Sequence, residues 1–431
     1  MWFRIASCLL VLTVSAVPAQ SQLNQQLDNL FNDFLREGFV RSPGVHGEHF
    51  IPSANIASDE LTPALNNLIS GNVASFPLTS TVAGVTFDPV TGQTLTSSLG
   101  PIFTEPIETV GAGNISIGMS ATYLSLNQFR GLSTDQMRFT FLHQDVAEPG
   151  LGDSSNESDI VDLFLDLDVD ASIVAFFATF GLSRNLDLSV AVPFVNVGMK
   201  GSARSRVNSA TLLLGGNANH SFGGDSLNPV LQKVVPYDVS SGGVGDLAVR
   251  LKYRFTEENS ASGIAALIDL RLPTGDSDDF LGTGNITART VLIGSARMGE
   301  FTPHVNLGYD YRNSDFDSDE FEVAIGFDQV IFTSWVFALE FLGEFDLDSA
   351  ETIEIFPGTE TISGRIENIV DLSNIPERRN DHRMDTSIGF RYAPVLKQAV
   401  QIQLLANLIV PLQDGGLRSG VAPTLGFSVS F

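Results

Sequence analysis

Residues 246–255 of this 431-residue chain are Asp-Leu-Ala-Val-Arg-Leu-Lys-Tyr-Arg-Phe, a run in which apolar and charged side chains alternate. Successive side chains of a β-strand point to opposite faces of a sheet, so this run predicts a strand with one apolar and one charged face. The same period of two continues from residue 113 to the C-terminus, for example over 161–171, 335–346 and 383–392. The sequence therefore predicts an all-β domain.

About twelve such segments follow one another, each near or above the length of about 9–11 residues that a tilted strand needs to cross a bilayer. The predicted strands are 113–128, 160–180, 185–199, 244–256, 263–274, 284–298, 301–312, 320–332, 335–348, 383–393, 398–412 and 421–431. Their connections alternate between short turns and long loops, the longest loops being 129–159, 200–243 and 349–382. Alternation of this kind is typical of a transmembrane antiparallel β-barrel with tight periplasmic turns.

Two further features favour a membrane barrel over a soluble β-sandwich, which is the alternative fold. Aromatic residues lie near strand ends, where an interfacial girdle would be; they are Tyr253, Phe255, Tyr309, Tyr311 and Trp335. The chain also closes with an alternating run that ends at Phe431, similar to the C-terminal assembly signal of bacterial outer-membrane barrels. We therefore expect outer-membrane lipid as a partner, and the barrel assembly machinery as another through Phe431.

The N-terminal quarter of the chain has a different character. Residues 1–19 combine a short basic start, an apolar run and small residues at 17–19, which predicts a secretory signal peptide. Residues 20–110 form a predicted pre-barrel segment before a barrel at 111–431. Apolar residues at helical spacing predict one amphipathic helix over 23–35 and a shorter helix over 61–69. Amphipathicity alone does not decide whether the first helix packs on a neighbouring surface or plugs a pore.

The charge balance excludes some partners. The chain has 24 Lys and Arg against 50 Asp and Glu, a formal net charge of −26. Such a surface repels nucleic acids and anionic membrane surfaces. The only cysteine, Cys8, lies in the predicted signal peptide, so we expect a mature chain without disulfides.

If the apolar face of each strand contacts lipid, the charged face lines the lumen and selects solutes there. The predicted lumen-facing residues are Asp166, Asp168, Asp170, Arg250, Lys252, Arg254, Asp269, Arg271, Arg289, Arg297, Asp310, Arg312, Glu340, Glu344 and Asp385. Strands 244–256 and 263–274 should be neighbours, which would place Arg250 near Asp269 and Arg271. The alternative is that these charges pair across strands and merely fill a narrow barrel.

Catalytic and metal-binding patterns are weak. Asp315, Asp317 and Asp319 have the alternate spacing of hard-cation ligands and are a candidate surface Ca²⁺ site, but Gly326 stands where a calcium loop would carry its closing acid. His46 and His49 could form a weak metal pair. The sequence has no Gly-x-Ser-x-Gly motif, and no cysteine outside the predicted signal peptide. We predict that the protein is not an enzyme and has no cofactor.

Three blocks resemble a family of outer-membrane transporters. They are Gly-Leu-Ser-Arg-Asn-Leu-Asp-Leu-Ser-Val-Ala-Val-Pro-Phe-Val at 181–195, Gly-Val-Gly-Asp-Leu-Ala-Val-Arg-Leu-Lys-Tyr-Arg-Phe at 243–255, and Asp-Leu-Arg-Leu-Pro-Thr-Gly-Asp at 269–276. The family is named for the MetA pathway of phenol degradation, and the resemblance covers roughly residues 102–431. It implies passive passage of small molecules, hydrophobic or aromatic ones among them, across the outer membrane. The alternative function is a non-conducting surface protein that binds a partner through its acidic extracellular loops.

Overall fold

The computed structural model of the protein contains a closed antiparallel β-barrel. It describes residues 23–35, 40–41, 50, 59, 62–74, 102–143, 159–225, 227–257, 260–312, 318–347, 359–362, 365–368, 373–376, 381–394 and 400–431. The twelve barrel strands are β1 Ile115–Phe129, β2 Ile160–Gly181, β3 Leu186–Asn208, β4 Leu247–Arg254, β5 Ser262–Leu272, β6 Thr287–Ala296, β7 Phe301–Arg312, β8 Glu320–Phe332, β9 Trp335–Asp346, β10 Arg383–Tyr392, β11 Gln401–Pro411 and β12 Ala422–Ser430. The predicted fold class and strand number are confirmed.

Neighbours in sequence are neighbours in the barrel. Each strand pairs with the next one along the chain, and β1 closes the ring by pairing with both β12 and β2. Closure leaves every barrel strand with two partners, which satisfies the backbone groups that a bilayer could not hydrate. Both ends of the barrel meet on one side, where Phe431 and Ile115 exchange N–H···O bonds of 2.8 and 2.9 Å. In the part of the chain that is described, no helix has the length and hydropathy required to cross a membrane.

Strands β2 and β3 are about twice as long as a bilayer crossing requires. Their far halves stand beyond the barrel rim and are extended on each side by the strands Met137–Leu142 and Gln232–Val244. We call this four-stranded sheet the projection. It corrects the prediction that 129–159 and 200–243 are loops throughout. The Pro and Gly residues within 232–244 hide its strand character in the sequence, because both are disfavoured inside sheets and tolerated at an edge.

The outer face of the barrel carries a continuous apolar belt. Large hydrophobic side chains exposed on it include Ile117, Phe176, Leu188, Leu251, Ile268, Leu292, Val305, Ile325, Phe341, Ile388, Leu404 and Leu425. Aromatic side chains flank the belt at both ends: Phe180, Tyr253, Phe255, Phe332 and Trp335 on the side of the short turns, and Tyr123, Tyr309, Tyr311 and Phe321 on the other. A belt between two aromatic girdles is what a barrel presents to a bilayer.

The N-terminal helices lie on the inner side of this wall. They are α1, Leu23–Leu35, and α2, Thr62–Ala74. A short third helix, α3 at Ala210–Leu213, follows β3 and has no buried residue. Leu23, Leu27, Leu30 and Phe34 of α1 are buried in the same cluster as the inward-facing apolar residues of β2 and β3. Thus α1 supplies the apolar contents of the upper barrel and the projection. The remaining short elements are Val40–Arg41, Leu132–Ser133, the 3-10 turn Thr134–Gln136, His220–Ser221, Thr359–Ile362, Arg365–Asn368 and Leu417–Ser419.

Candidate functional site in the barrel lumen

The charged faces of β4 to β9 point into the lumen. Inward positions there hold many of the charges predicted from the sequence, namely Arg250, Lys252, Arg254, Asp269, Arg271, Arg289, Asp310, Arg312, Glu340 and Glu344. Asp385 on β10 shares a lumen cavity with Glu344, and Arg297 follows β6 at the turn side. Whether these residues line a conducting pore stays a prediction.

Three predicted lumen residues lie on the opposite face. Asp166 and Asp168 are in the half of β2 that belongs to the projection, and Asp170 lies at its border, where it pairs with Ser125 of β1. The apolar residues from Val161 to Ala171 face inward there and are buried. The assignment was wrong because it assumed that lipid covers the apolar face along the whole strand. Above the bilayer the apolar face packs on α1 instead, and the acidic face meets water.

Residues 102–110 run through the lumen in an extended course, and we call them the strap. Its tip is held by one carboxylate, that of Glu340 in the middle of β9. Oε1 of Glu340 accepts N–H bonds from Ile102 (3.0 Å), Phe103 (3.0 Å) and Thr104 (2.9 Å), and the Thr104 hydroxyl donates to it at 2.6 Å. Ser387 of β10 donates a further hydroxyl bond to Oε2 at 2.6 Å. Glu340 is fully buried, and the five groups that donate these hydrogen bonds are all neutral.

The rest of the strap is held by further polar contacts. The Glu105 carboxylate lies 3.3 Å from Arg250 Nη1 and 3.9 Å from Lys252 Nζ. Glu108 lies 3.5 Å from Arg297. At the turn side, the Val110 N–H donates to Asp187 Oδ2 at 2.9 Å. The barrel wall therefore contacts the strap through charged groups along most of its length.

Two apolar side chains of the strap also pack against the barrel wall. Ile107 is 3% exposed and packs on Ala265, Leu267, Val291 and Ile293 of β5 and β6. On the other wall, Gly389 leaves the space that Ile102 fills: a Cβ built on it would lie 2.4 Å from Ile102 Cδ1. The wall is thus shaped for these side chains, which argues that the strap has a fixed position in this state.

Above the strap the lumen is filled by ion pairs with little space between them. Arg289 Nε lies 2.6 Å from Glu322, Arg312 Nη2 lies 2.6 Å from Glu320, and Arg383 Nη1 lies 3.4 Å from Glu344. Two cavities border these pairs, of about 50 and 70 Å³. Phe103 of the strap lines the first, and Asn72 of α2 lines the second. Each has room for a few water molecules.

The sequence blocks at 243–255 and 269–276 meet at the top of the lumen. Asp246 accepts N–H bonds from Gly275 (3.0 Å) and Thr283 (2.8 Å), and so folds residues 273–283 back on themselves. This loop receives the start of α1: the Leu23 N–H donates to Asp279 Oδ1 at 3.1 Å. A carboxylate there satisfies an amide that the helix itself leaves unpaired. The two blocks therefore shape the loop that holds the start of α1.

A buried ion pair and a hydrogen bond connect three extracellular segments, at residues 130, 381 and 416. Arg130, 3% exposed, forms a two-pronged contact with Asp381, with Nη2 at 2.9 Å and Nε at 3.0 Å. Asp381 also accepts the Gly416 N–H at 3.0 Å. Burial makes such a pair costly to break from one side only.

Only one residue of the candidate Ca²⁺ site, Asp319, lies among the described residues, so the site stays a prediction. Asp315 and Asp317, like His46 and His49, lie outside the described residues. The carboxylate of Asp319 accepts from the Tyr309 hydroxyl and, at 2.9 Å, from the Arg312 N–H. Within the described ranges, no group of three or more His, Cys, Asp or Glu is placed to hold a metal ion.

Sequence reasoning missed the strap and its acids. Glu105 and Glu108 stand in a stretch without periodicity, and nothing in the sequence links them to basic residues about 145 and 189 positions later. It also missed the buried pair of His304 and Asp328, whose side chains meet on the inner faces of β7 and β8. The alternation on both strands could have placed these two residues in the lumen.

Residues 152–348 match the family described as "Putative MetA-pathway of phenol degradation". All three sequence blocks fall within that range, so the family resemblance is confirmed there. Similar solved structures include the COG4313 outer membrane channel from Pseudomonas putida F1, at 13% identity, covering 76% of this chain and 100% of that chain, with a TM-score of 0.40. Two others are a FadL homologue from Pseudomonas aeruginosa (10% identity, 74% and 89% coverage, TM-score 0.33) and the CymD monoaromatic hydrocarbon channel (10%, 74% and 88%, TM-score 0.34). No curated protein matches the chain.

Proposed function

We propose that the protein is an outer-membrane channel through which small molecules, hydrophobic or aromatic ones among them, pass without a chemical step. The observation that carries this proposal is a closed barrel with an apolar outer belt and a charged inner wall. A protein that only anchored a surface domain would not need a lumen lined by charge at so many inward positions. The family match over 152–348, whose description refers to phenol degradation, supports small aromatic compounds as solutes.

In the same proposal, the N-terminal segment is the plug of this channel. The strap and helix α1 together occupy the lumen from the turn side to the projection. The cavities beside them are of about 50 and 70 Å³, too small for an aromatic solute to bind without displacing protein groups. Conduction therefore requires the strap, the helix or both to move.

Planar-bilayer conductance tests the proposal. The detergent-purified, heat-modifiable protein is compared with a variant that lacks residues 21–110. Current steps that appear or enlarge on deletion support a plugged pore, and equal steps in both proteins support a pore without a plug. Absence of conductance and of phenol entry into proteoliposomes, from both folded proteins, would refute the channel and favour a surface-binding function for the acidic loops.

The proposed assembly route rests on the C-terminus. Phe431 is paired with Ile115 at the turn side, and its side chain is about half exposed on the barrel exterior. An exposed terminal aromatic residue on the last strand is available for recognition by the assembly machinery before the barrel closes. Deleting Phe431 should lower the amount of heat-modifiable barrel in outer membranes, whereas replacing it by Tyr should not.

A further inference from the structure

We propose that Glu340, Ser387 and Asn407 form a binding site for small molecules that carry a hydroxyl group on an apolar body, and that the strap tip Ile102–Thr104 occupies this site in the closed state. The inference rests on the proposed channel function and names its solute class. The three residues come from adjacent strands, since Ser387 pairs with Glu340 across β9 and β10, and Gly389 pairs with Asn407 across β10 and β11.

The donors that satisfy Glu340 indicate the chemistry of the site. Four of them come from the strap tip and one from Ser387, and none carries a charge. If the tip withdraws, the buried carboxylate loses most of its donors, and an unpaired buried charge is strongly unfavourable. A neutral hydroxyl can replace the Thr104 hydroxyl directly. Solutes without a donor cannot do so.

Asn407 supplies the complementary half of the site. Its Oδ1 lies 3.2 Å from Ser387 Oγ, whereas its Nδ2 has no hydrogen-bond partner among the described residues, although Asn407 is only 4% exposed. A buried amide donor without a partner costs stability. A hydroxyl oxygen can accept from this group while its proton is donated to Glu340. The pair therefore favours a hydroxyl over an ether, which has no proton to donate to Glu340.

The apolar part of the site is outlined by the side chains now in it. Ile102 fills the space that Gly389 leaves open, and Phe103 borders the lumen cavity of about 50 Å³. Because that cavity holds only a few water molecules, an aromatic ring must replace the strap tip. Solute binding and strap docking are thus mutually exclusive, and binding releases the strap.

Exposure of the strap tip measures this competition in the full chain. Phe103→Cys, made together with Cys8→Ser, keeps the backbone N–H bonds to Glu340 and introduces a single reporter thiol, because the sequence has no other cysteine. We expect phenol to raise the rate of labelling by a water-soluble maleimide in a saturable manner. Toluene, of nearly the same shape but without a hydroxyl, should require about tenfold or more higher concentration, the effect of one hydrogen bond to a charged group.

Matched variants locate the effect. With Glu340→Gln, the preference for phenol over toluene should fall several-fold, because a neutral acceptor replaces the carboxylate, and the basal labelling rate should rise. Glu344→Gln, on the same face of the same strand but paired with Arg383, should keep the preference for phenol. Asn407→Leu should weaken the response to phenol and leave that to toluene unchanged, and it keeps the test informative if Glu340→Gln does not fold.

Equal responses to phenol and toluene in the parent protein, or a preference that Glu340→Gln leaves undiminished, would overturn the site. Phenol entry into proteoliposomes is measured in parallel. A specific labelling response without phenol entry would refute the channel but keep the binding site, whereas phenol entry without a hydroxyl preference would do the reverse.

Discussion

Replacing Ile107 by Ala should open the barrel without unfolding it. Ile107 is nearly fully buried in a pocket made by Ala265, Leu267, Val291 and Ile293. Truncating a buried Ile to Ala typically costs about 2–5 kcal/mol. Because the pocket belongs to the barrel and the side chain to the strap, this cost falls on strap docking and not on strand pairing. A loss of about 3 kcal/mol raises the undocked-to-docked ratio about 150-fold.

The assay is the open probability of single channels in planar bilayers, with heat modifiability as the test of barrel integrity. Leu292→Ala is the matched control, since Leu292 lies between Val291 and Ile293 on the same strand but faces outward and is half exposed. We expect the open probability to rise strongly for Ile107→Ala and to stay at the parent level for Leu292→Ala. An unchanged open probability in a folded Ile107→Ala barrel would refute the claim that this pocket holds the strap. Equal effects of both variants would indicate general loosening of the barrel.

Three other predictions test separate parts of the structure. Gly389→Ala places a Cβ 2.4 Å from Ile102 Cδ1 of the strap, and also 2.6 Å from Asn407 Oδ1 and 2.8 Å from the Ala406 carbonyl oxygen of β11. It should weaken strap docking by about 1–3 kcal/mol and raise the open probability, with heat modifiability as the check on the barrel wall, whereas Gly420→Ala meets no atom within 4 Å and should be neutral. Burial and nearby acidic charge raise the pKa of Tyr237 in the projection. Above about pH 10 the tyrosine therefore ionises in the unfolded state before it ionises in the folded state, which lowers the stability of the folded projection. The resistance of the projection to protease should fall in this pH range, and it should fall less in Tyr237→Phe. Finally, Asp168→Asn on the outer face should leave ion selectivity unchanged and Arg289→Gln in the lumen should change it, as reversal potentials would show; the opposite result would contradict the assigned faces.

The site was only partly predictable. Alternation along β4 to β9 placed residues such as Arg250, Arg289 and Glu340 on one face, because a period of two is local and survives in any sheet. It could not state which face of β2 meets lipid, since that depends on how far the strand rises above the bilayer. Asp166, Asp168 and Asp170 were misplaced for this reason.

Contacts between remote segments lay beyond the sequence. Thr104 and Glu340 are separated by 236 positions, and the three backbone N–H groups of the strap tip leave no mark in side-chain chemistry. The same holds for Gly389, whose role is the space it leaves for Ile102. Such features arise from close packing between elements, and packing is defined only once the barrel has closed.

The sequence by itself determined the class of fold, the strand number and the helix at 23–35, because each follows from local periodicity and from the length of chain that crosses a bilayer. It also predicted a second helix at 61–69, which the structure extends to Thr62–Ala74. Only the tertiary structure decided that the strap and helix α1 lie on the inner side of the barrel wall. It also decided that β2 and β3 rise into a projection and that Glu340 holds the strap. The reason is that alternation along one strand shows only that its two faces differ. How far the strand rises above the bilayer, and which group pairs with each buried charge, depend on the strands and segments that surround it in the closed barrel.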